Sequence, residues 1–305
     1  MANYLLMGNC KANLKRFLII FYGALALIFI CMTGFRLRLS HTIPLLVPLA
    51  MLEKRSTSFL AQWTPFYLLI LLYDSFRGIA DDLAARVEYV RLINWEKWLF
   101  NGQLPTLWLQ QHFHTYLEGF PGRILAIFYF GHFILPLACL YWAWRKNHRA
   151  FLCCMISLCF LSLAGFVTFY LFPAAPPWLA SHKGYLPPVQ QYIIQHIEAI
   201  SVKLPRIYVQ MNSNPVAPFP SLHAGYPLLW LFCGLKYFPR RAIIPLLVNV
   251  IAVALAIVSF GEHYVVDVLA GWAYAAGSFF LMEYAFLPWL TKLQVCSLTL
   301  ASKAS

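Results

Sequence analysis

Residues 242–260 read AIIPLLVNVIAVALAIVSF, residues 261–267 read GEHYVVD, and residues 268–290 read VLAGWAYAAGSFFLMEYAFLPWL. Two apolar runs are each long enough to span a bilayer, which takes about 17 to 25 predominantly apolar residues. The spans read are Ala242–Phe260 and Tyr264–Leu290; the short turn 260–264 between them carries His263, and Asp267 lies inside the second. In hydrocarbon a backbone must satisfy its own polar groups, so runs of this kind predict helices.

Working outward, Phe17–Gly34, Ile124–Trp144 and Ala150–Phe172 meet the same criterion, and Phe59–Tyr73 and Leu222–Phe238 are shorter candidates. Leu37–Leu52 holds Pro44 and Pro48 and either crosses or re-enters. The chain of 305 residues is 61% hydrophobic and 11% charged, against about 25% charged in soluble domains, which excludes a soluble globular fold. The fold expected is all-α: a polytopic transmembrane helical bundle with about eight (seven to eight) spans and amphipathic interfacial helices. The expected division is an N-terminal pair of membrane helices over residues 1–58, a catalytic membrane domain over 59–290 and a tail over 291–305.

The net charge of +12 would suit nucleic acid if it lined one face. Instead Arg145, Lys146, His148 and Arg149, and then Lys236, Arg240 and Arg241, sit in tight turns between spans. That is a topogenic pattern, and it places those turns in the cytoplasm. The loop 173–220 and the turn 260–264 then face outward, as does the stretch 74–122, whose Trp95, Trp98 and Trp108 suit helices lying at the interface. The eight cysteines form neither a disulfide framework nor a zinc pattern.

Phe219-Pro220-Ser221-Leu222-His223 opens one span and Gly261-Glu262-His263-Tyr264-Val265-Val266-Asp267 opens another. One hairpin of two spans separates them, so both histidines return to the same membrane face. His263 and Asp267, four residues apart, share a helix face. A carboxylate accepting from one imidazole nitrogen leaves the other free as a nucleophile and supports the positive charge that attack creates. His223 is then available as general acid and base. Ser221 suits a helix N-cap, whose free N–H groups favour phosphate. A lone histidine near a helix end is usually interfacial, but an aspartate inside a span is functional by default. Glu283 is expected to snorkel to the cytoplasmic interface and His132 to be a satisfied core residue. His112 and His114 have metal-like spacing without a third ligand. No metal and no cofactor are expected.

These motifs resemble those of the type-2 phosphatidic acid phosphatase superfamily, over roughly residues 60 to 290. Phosphatases of that superfamily usually show an Arg-Pro dipeptide, Pro-Ser-Gly-His and an arginine six residues before the second histidine. Here no Arg-Pro dipeptide occurs, Leu222 replaces the glycine and Ile257 replaces the arginine. Phe172-Pro173-Ala174-Ala175-Pro176-Pro177-Trp178, Pro220-Ser221-Leu222-His223-Ala224-Gly225 and His263-Tyr264-Val265-Val266-Asp267 are instead similar to the inositol phosphorylceramide synthase branch, as is Tyr73-Asp74-Ser75-Phe76-Arg77-Gly78.

The resemblance implies catalysis by His223, His263 and Asp267 through a phosphohistidine, with substrate contacts at Ser221, Arg77 and Tyr264. It implies a phospholipid donor such as phosphatidylinositol and a lipid hydroxyl acceptor such as ceramide, or water if the chain is a lipid phosphatase. A non-catalytic transporter is disfavoured because the polar residues cluster at one surface. A bacterial inner membrane with the site on its extracytoplasmic face is expected, or a Golgi membrane in a eukaryote.

Overall fold

A computed structural model describes residues 56–83, 86–211, 216–290 and 292. The expected spans Phe17–Gly34 and Leu37–Leu52 lie outside these residues. The chain divides into two compact units, residues 1–79 with 205–213, and residues 80–204 with 214–305.

The regular secondary structure of the described residues is helical, apart from one isolated parallel bridge between Glu88 and Ala174. Helix α1 is Ser56–Leu83. Along it Phe59, Trp63 and Phe66 form a buried stripe at helical spacing, with Phe59 and Trp63 stacked at 5.0 Å. Two short helices follow, α2 (Arg91–Leu99) and α3 (Pro105–Glu118), then the long α4 (Phe120–Lys146) and α5 (His148–Leu171). Three short helices cross the loop after α5: α6 (Pro177–His182), α7 (Tyr192–Glu198) and α8 (Leu204–Met211). The last three are α9 (Leu222–Tyr237), α10 (Ile243–Ser259) and α11 (Val265–Leu281), the last continuing through a π-helical turn, Met282–Phe286.

Three described helical segments are long and apolar enough to cross a membrane: His148–Leu171, Arg240–Ser259 and Val265–Leu290. Helix α4 is a fourth if its halves, bent by 49° between His132 and Ile134, make one span. The bend has a local cause, since Pro136 lacks the N–H that would bond the His132 carbonyl and crowds that carbonyl. Three to four apolar helices among the described residues are consistent with a helical membrane protein, and they do not establish the eight crossings expected. Helix α9, at 16 residues, is short for a span.

Helix α9 is central, packing against α4, α5, α10 and α11. Its approach to α11 depends on glycine. A Cβ on Gly271 would stand 2.1 Å from the Ser221 carbonyl oxygen, and one on Gly225 would stand 3.1 Å from the Gly271 carbonyl oxygen. Polar pairs tie α5 to both partners: Ser162 Oγ to Tyr226 Oη and Thr168 Oγ1 to Tyr274 Oη, each at 2.9 Å. Inside an apolar bundle such bonds fix register.

Glu283 corrects the expectation of snorkelling. It is 1% exposed and lies 2.8 Å from an Arg149 guanidinium nitrogen and 2.7 Å from Lys236 Nζ, while the Tyr237 hydroxyl donates to its other oxygen. Its two cations come from the basic turns, so a carboxylate on the next helix is drawn inward to meet them. This network closes the bundle at the end opposite the starts of α9 and α11.

Candidate active site

Ser221 is fully buried and caps α9: its Oγ accepts from the Ala224 N–H at 3.2 Å and its carbonyl accepts from Gly225 N–H at 2.9 Å. Its own N–H donates to the Asp267 carbonyl at 2.9 Å, so the starts of α9 and α11 are bonded to each other. The Leu222 and His223 N–H groups stand in the first turn of α9, where helix geometry supplies no intrahelical acceptor.

The turn before α11 is shaped by Gly261, whose φ of +77° suits glycine. A Cβ there would also meet Val189 Cγ1 at 2.7 Å. The Ile257 carbonyl accepts from the N–H groups of both Glu262 and His263 at 3.0 Å. Gln110 holds the loop after α5 to this turn, donating to the Gln190 and Ser259 carbonyls and accepting from Gln190 N–H at 2.8 to 2.9 Å.

These constraints bring the two histidines together. His263 Nε2 and His223 Nδ1 are 3.1 Å apart. His263 Nδ1 lies 3.4 Å from Asp267 Oδ2, within ion-pair reach but long for a hydrogen bond. Both His263 Nδ1 and Asp267 Oδ1 are buried without a hydrogen-bond partner among the described residues. Catalytic hydrogen bonds are often loose without substrate and tighten in the complex. Asp267 Oδ2 is already held by the Tyr264 N–H at 2.8 Å. If His263 Nδ1 carries the proton that faces Asp267, its Nε2 presents a lone pair, and the contact with His223 is a donation from His223 Nδ1–H.

Three residues near this centre were not singled out from sequence. Glu96 of α2 is fully buried, and its two carboxylate oxygens accept from the Val265 and Val266 N–H groups, each at 3.1 Å. Together with Asp267 it fills the N-terminus of α11, so the open helix start at this site is that of α9. Burial pushes Glu96 up to about 7, against the pull of these two bonds. Glu262, beside His263, is likewise pushed up to about 7 by burial and accepts from Gln191 Nε2 at 2.9 Å. The third is Tyr129 of α4, whose ring stacks on His223 at 5.3 Å. His132, expected as a core residue, is buried as expected, and its ring meets His223 edge-on at 4.3 Å.

The remaining expected residues are spread more widely. Tyr264 is buried in an apolar cluster with Leu92, Ile93, Leu104 and Ala175, and its hydroxyl has no partner among the described residues. Arg77 lies on α1, but its side chain is outside the described residues. His112 Nδ1–H donates to the Trp108 carbonyl at 2.9 Å, and among the described residues no group of three His, Cys, Asp or Glu could hold a metal ion.

The profile of the PAP2 superfamily matches residues 86–281, which contain Glu96, Tyr129, His132, His223, His263 and Asp267. The chain belongs to that superfamily. It is also similar to the phosphoinositol dihydroceramide synthase of Bacteroides thetaiotaomicron, with 28% identity over 238 residues, 73% of this chain and 76% of the relative. No solved structure matches. As a superfamily member the chain is an enzyme of the lipid phosphotransferase and phosphatase class, and its relative agrees with the inositol phosphorylceramide synthase-like branch expected from the motifs. Two of the three departures from the phosphatase pattern have structural counterparts. Leu222 packs over Gly165, where a Cβ would meet its Cδ2 at 2.9 Å. Ile257 is fully buried and serves the turn through its carbonyl.

Proposed function

We propose that the protein is a lipid phosphotransferase that moves a phospho-headgroup from a phospholipid such as phosphatidylinositol to a lipid hydroxyl such as that of ceramide. The observation that carries this reading is the row Asp267, His263, His223, with adjacent groups 3.4 Å and 3.1 Å apart. His263 Nε2 attacks phosphorus, the bond from phosphorus to the diacylglycerol oxygen breaks, and His223 donates its proton to that oxygen. The acceptor hydroxyl then gives its proton to His223 and attacks the phosphohistidine, and the nitrogen–phosphorus bond breaks to regenerate His263. Covalent catalysis splits one difficult displacement into two, and general acid–base help at each is worth about 10² to 10⁴ in rate. Asp267 supports the charge that develops on His263, and the free N–H groups at the start of α9 face the phosphoryl oxygens.

A phosphodiester carries one negative charge where a phosphomonoester carries up to two. A site with Leu222 and Ile257 in place of the phosphatase residues suits the diester better, which favours transfer over phosphate release. The relative's name supplies the substrate classes, a phosphoinositol group and a ceramide-type acceptor. The basic turns at the Glu283 end favour the cytoplasm, which supports a site on the extracytoplasmic face of a bacterial inner membrane.

The test uses purified protein in mixed micelles with fluorescent ceramide and, in turn, phosphatidylinositol, phosphatidylethanolamine and phosphatidic acid. A phosphorylated ceramide product made with phosphatidylinositol and lost in His263→Ala supports the reading. Release of phosphate from phosphatidic acid without transfer would replace it with a lipid phosphatase.

A further inference from the structure

His223 is gripped from two sides. On one side stands His263; on the other, α4 presents two rings: Tyr129, 1% exposed and stacked on His223 at 5.3 Å with 20° between planes, and His132, edge-on at 4.3 Å. The His132 ring is itself locked, because its Nδ1 faces the Tyr129 carbonyl. A carbonyl only accepts, so Nδ1 carries the proton. Both rings lie at the end of the first half of α4, just before its bend at Pro136.

In an in-line displacement the attacking nitrogen and the acid lie on opposite sides of phosphorus. Summing a near-attack distance, one phosphorus–oxygen bond and one hydrogen bond separates them by about 7 Å. The resting separation of 3.1 Å must therefore open when the phosphoryl group enters. What stands behind His223 decides where its ring comes to rest and which nitrogen meets the leaving oxygen.

We infer that Tyr129 and His132 are positioning residues for His223, setting the ring orientation from which it protonates the departing lipid alkoxide. The inference rests on the phosphotransfer reading above and adds α4 to its machinery. It separates from a packing role by leaving-group dependence: a diacylglycerol alkoxide needs an acid, whereas nitrophenolate departs without one.

The experiment compares the natural donor with a 4-nitrophenyl phosphodiester of the same headgroup, in wild type, His223→Ala, His132→Ala, His132→Phe, Tyr129→Leu and Tyr129→Phe, with thermal unfolding of each. His132→Ala and Tyr129→Leu are expected to lose about 10- to 100-fold in kcat on the natural donor and less than about 3-fold in the first-turnover burst of nitrophenolate, read without acceptor because His223 also serves as base in the second step. Tyr129→Phe, which keeps the ring, is expected to stay near wild type on both. Equal losses on both substrates, or none, in variants that fold would overturn the inference. If His132→Ala fails to fold, His132→Phe and Tyr129→Leu carry the comparison. Loss of the leaving-group contrast in His223→Ala itself would instead overturn the acid role of His223, and with it the reading beneath.

Discussion

Glu96→Gln isolates the orientation of α11 from its chemistry. The carboxylate caps two N–H groups at 3.1 Å from a fully buried position. An amide oxygen replaces one of these acceptors, while its NH₂ group faces the other donor. One charge-assisted bond is lost, worth about 1.5 to 3 kcal/mol. Against this, burial moves the carboxyl from its ordinary 4.5 up to about 7, so holding it ionised above that pH costs about 3 kcal/mol, a cost the amide escapes. The raised value is already net of both bonds, so the opposing terms cancel within it, and stability at pH 8 should hold or rise, by up to about 3 kcal/mol. The sign of the pH dependence follows from the same numbers. The folded state keeps the proton to higher pH than the unfolded chain, so the contribution of Glu96 to stability falls as pH rises from about 4.5 to 7 and then levels; the variant should lack that component. Activity should not cancel, because a displaced helix start moves His263 and Asp267, and a 1 Å displacement costs up to about 100-fold. Transfer assays in micelles should show kcat reduced about 10- to 100-fold with KM little changed. Wild-type kcat in a variant of wild-type stability would refute the reasoning.

Asp267→Asn should lower kcat by about 10⁴-fold while leaving KM and thermal stability close to wild type, since the amide favours the wrong tautomer of His263; a loss confined to KM would argue against that role. Gly271→Ala places a methyl 2.1 Å from the Ser221 carbonyl oxygen, where backbone must yield. It should cost about 2 to 3 kcal/mol and at least about 10-fold in kcat; a melting temperature and kcat matching wild type would contradict the close helix crossing. Glu283→Gln removes the carboxylate between Arg149 and Lys236. Both cations are partly exposed and resolvate, so the expected loss is about 1 to 2 kcal/mol in thermal unfolding, with kcat near wild type because the network lies at the other end of the bundle.

The histidine pair was legible in sequence because span counting needs only hydropathy and a turn: one hairpin between His223 and His263 returns both to one face. The helical bundle was legible for the same reason. Glu96 was not, since an acidic residue in an amphipathic stretch normally faces water, and nothing local says that Val265 and Val266 will need acceptors. A signal existed in retrospect: α11 opens Tyr-Val-Val, with Asp267 as its own capping side chain, leaving two N–H groups to be met from elsewhere. His132 was placed correctly as buried but read as inert, because its partner His223 lies on another helix and Pro136, the cause of the bend, carries no information about direction. The burial of Glu283 was not legible because its two cations, Arg149 and Lys236, sit at the ends of other helices, which local hydropathy does not pair with it.

The most direct measurement quenches the wild-type enzyme in acid-free denaturant after mixing it with a donor labelled in its headgroup phosphate and no acceptor, then maps the labelled peptide. A label stable in base, labile in acid and located at His263, reduced in Asp267→Asn and absent in His263→Ala, is the predicted result. A turning-over enzyme that carries no label, or carries it on His223, would contradict the account.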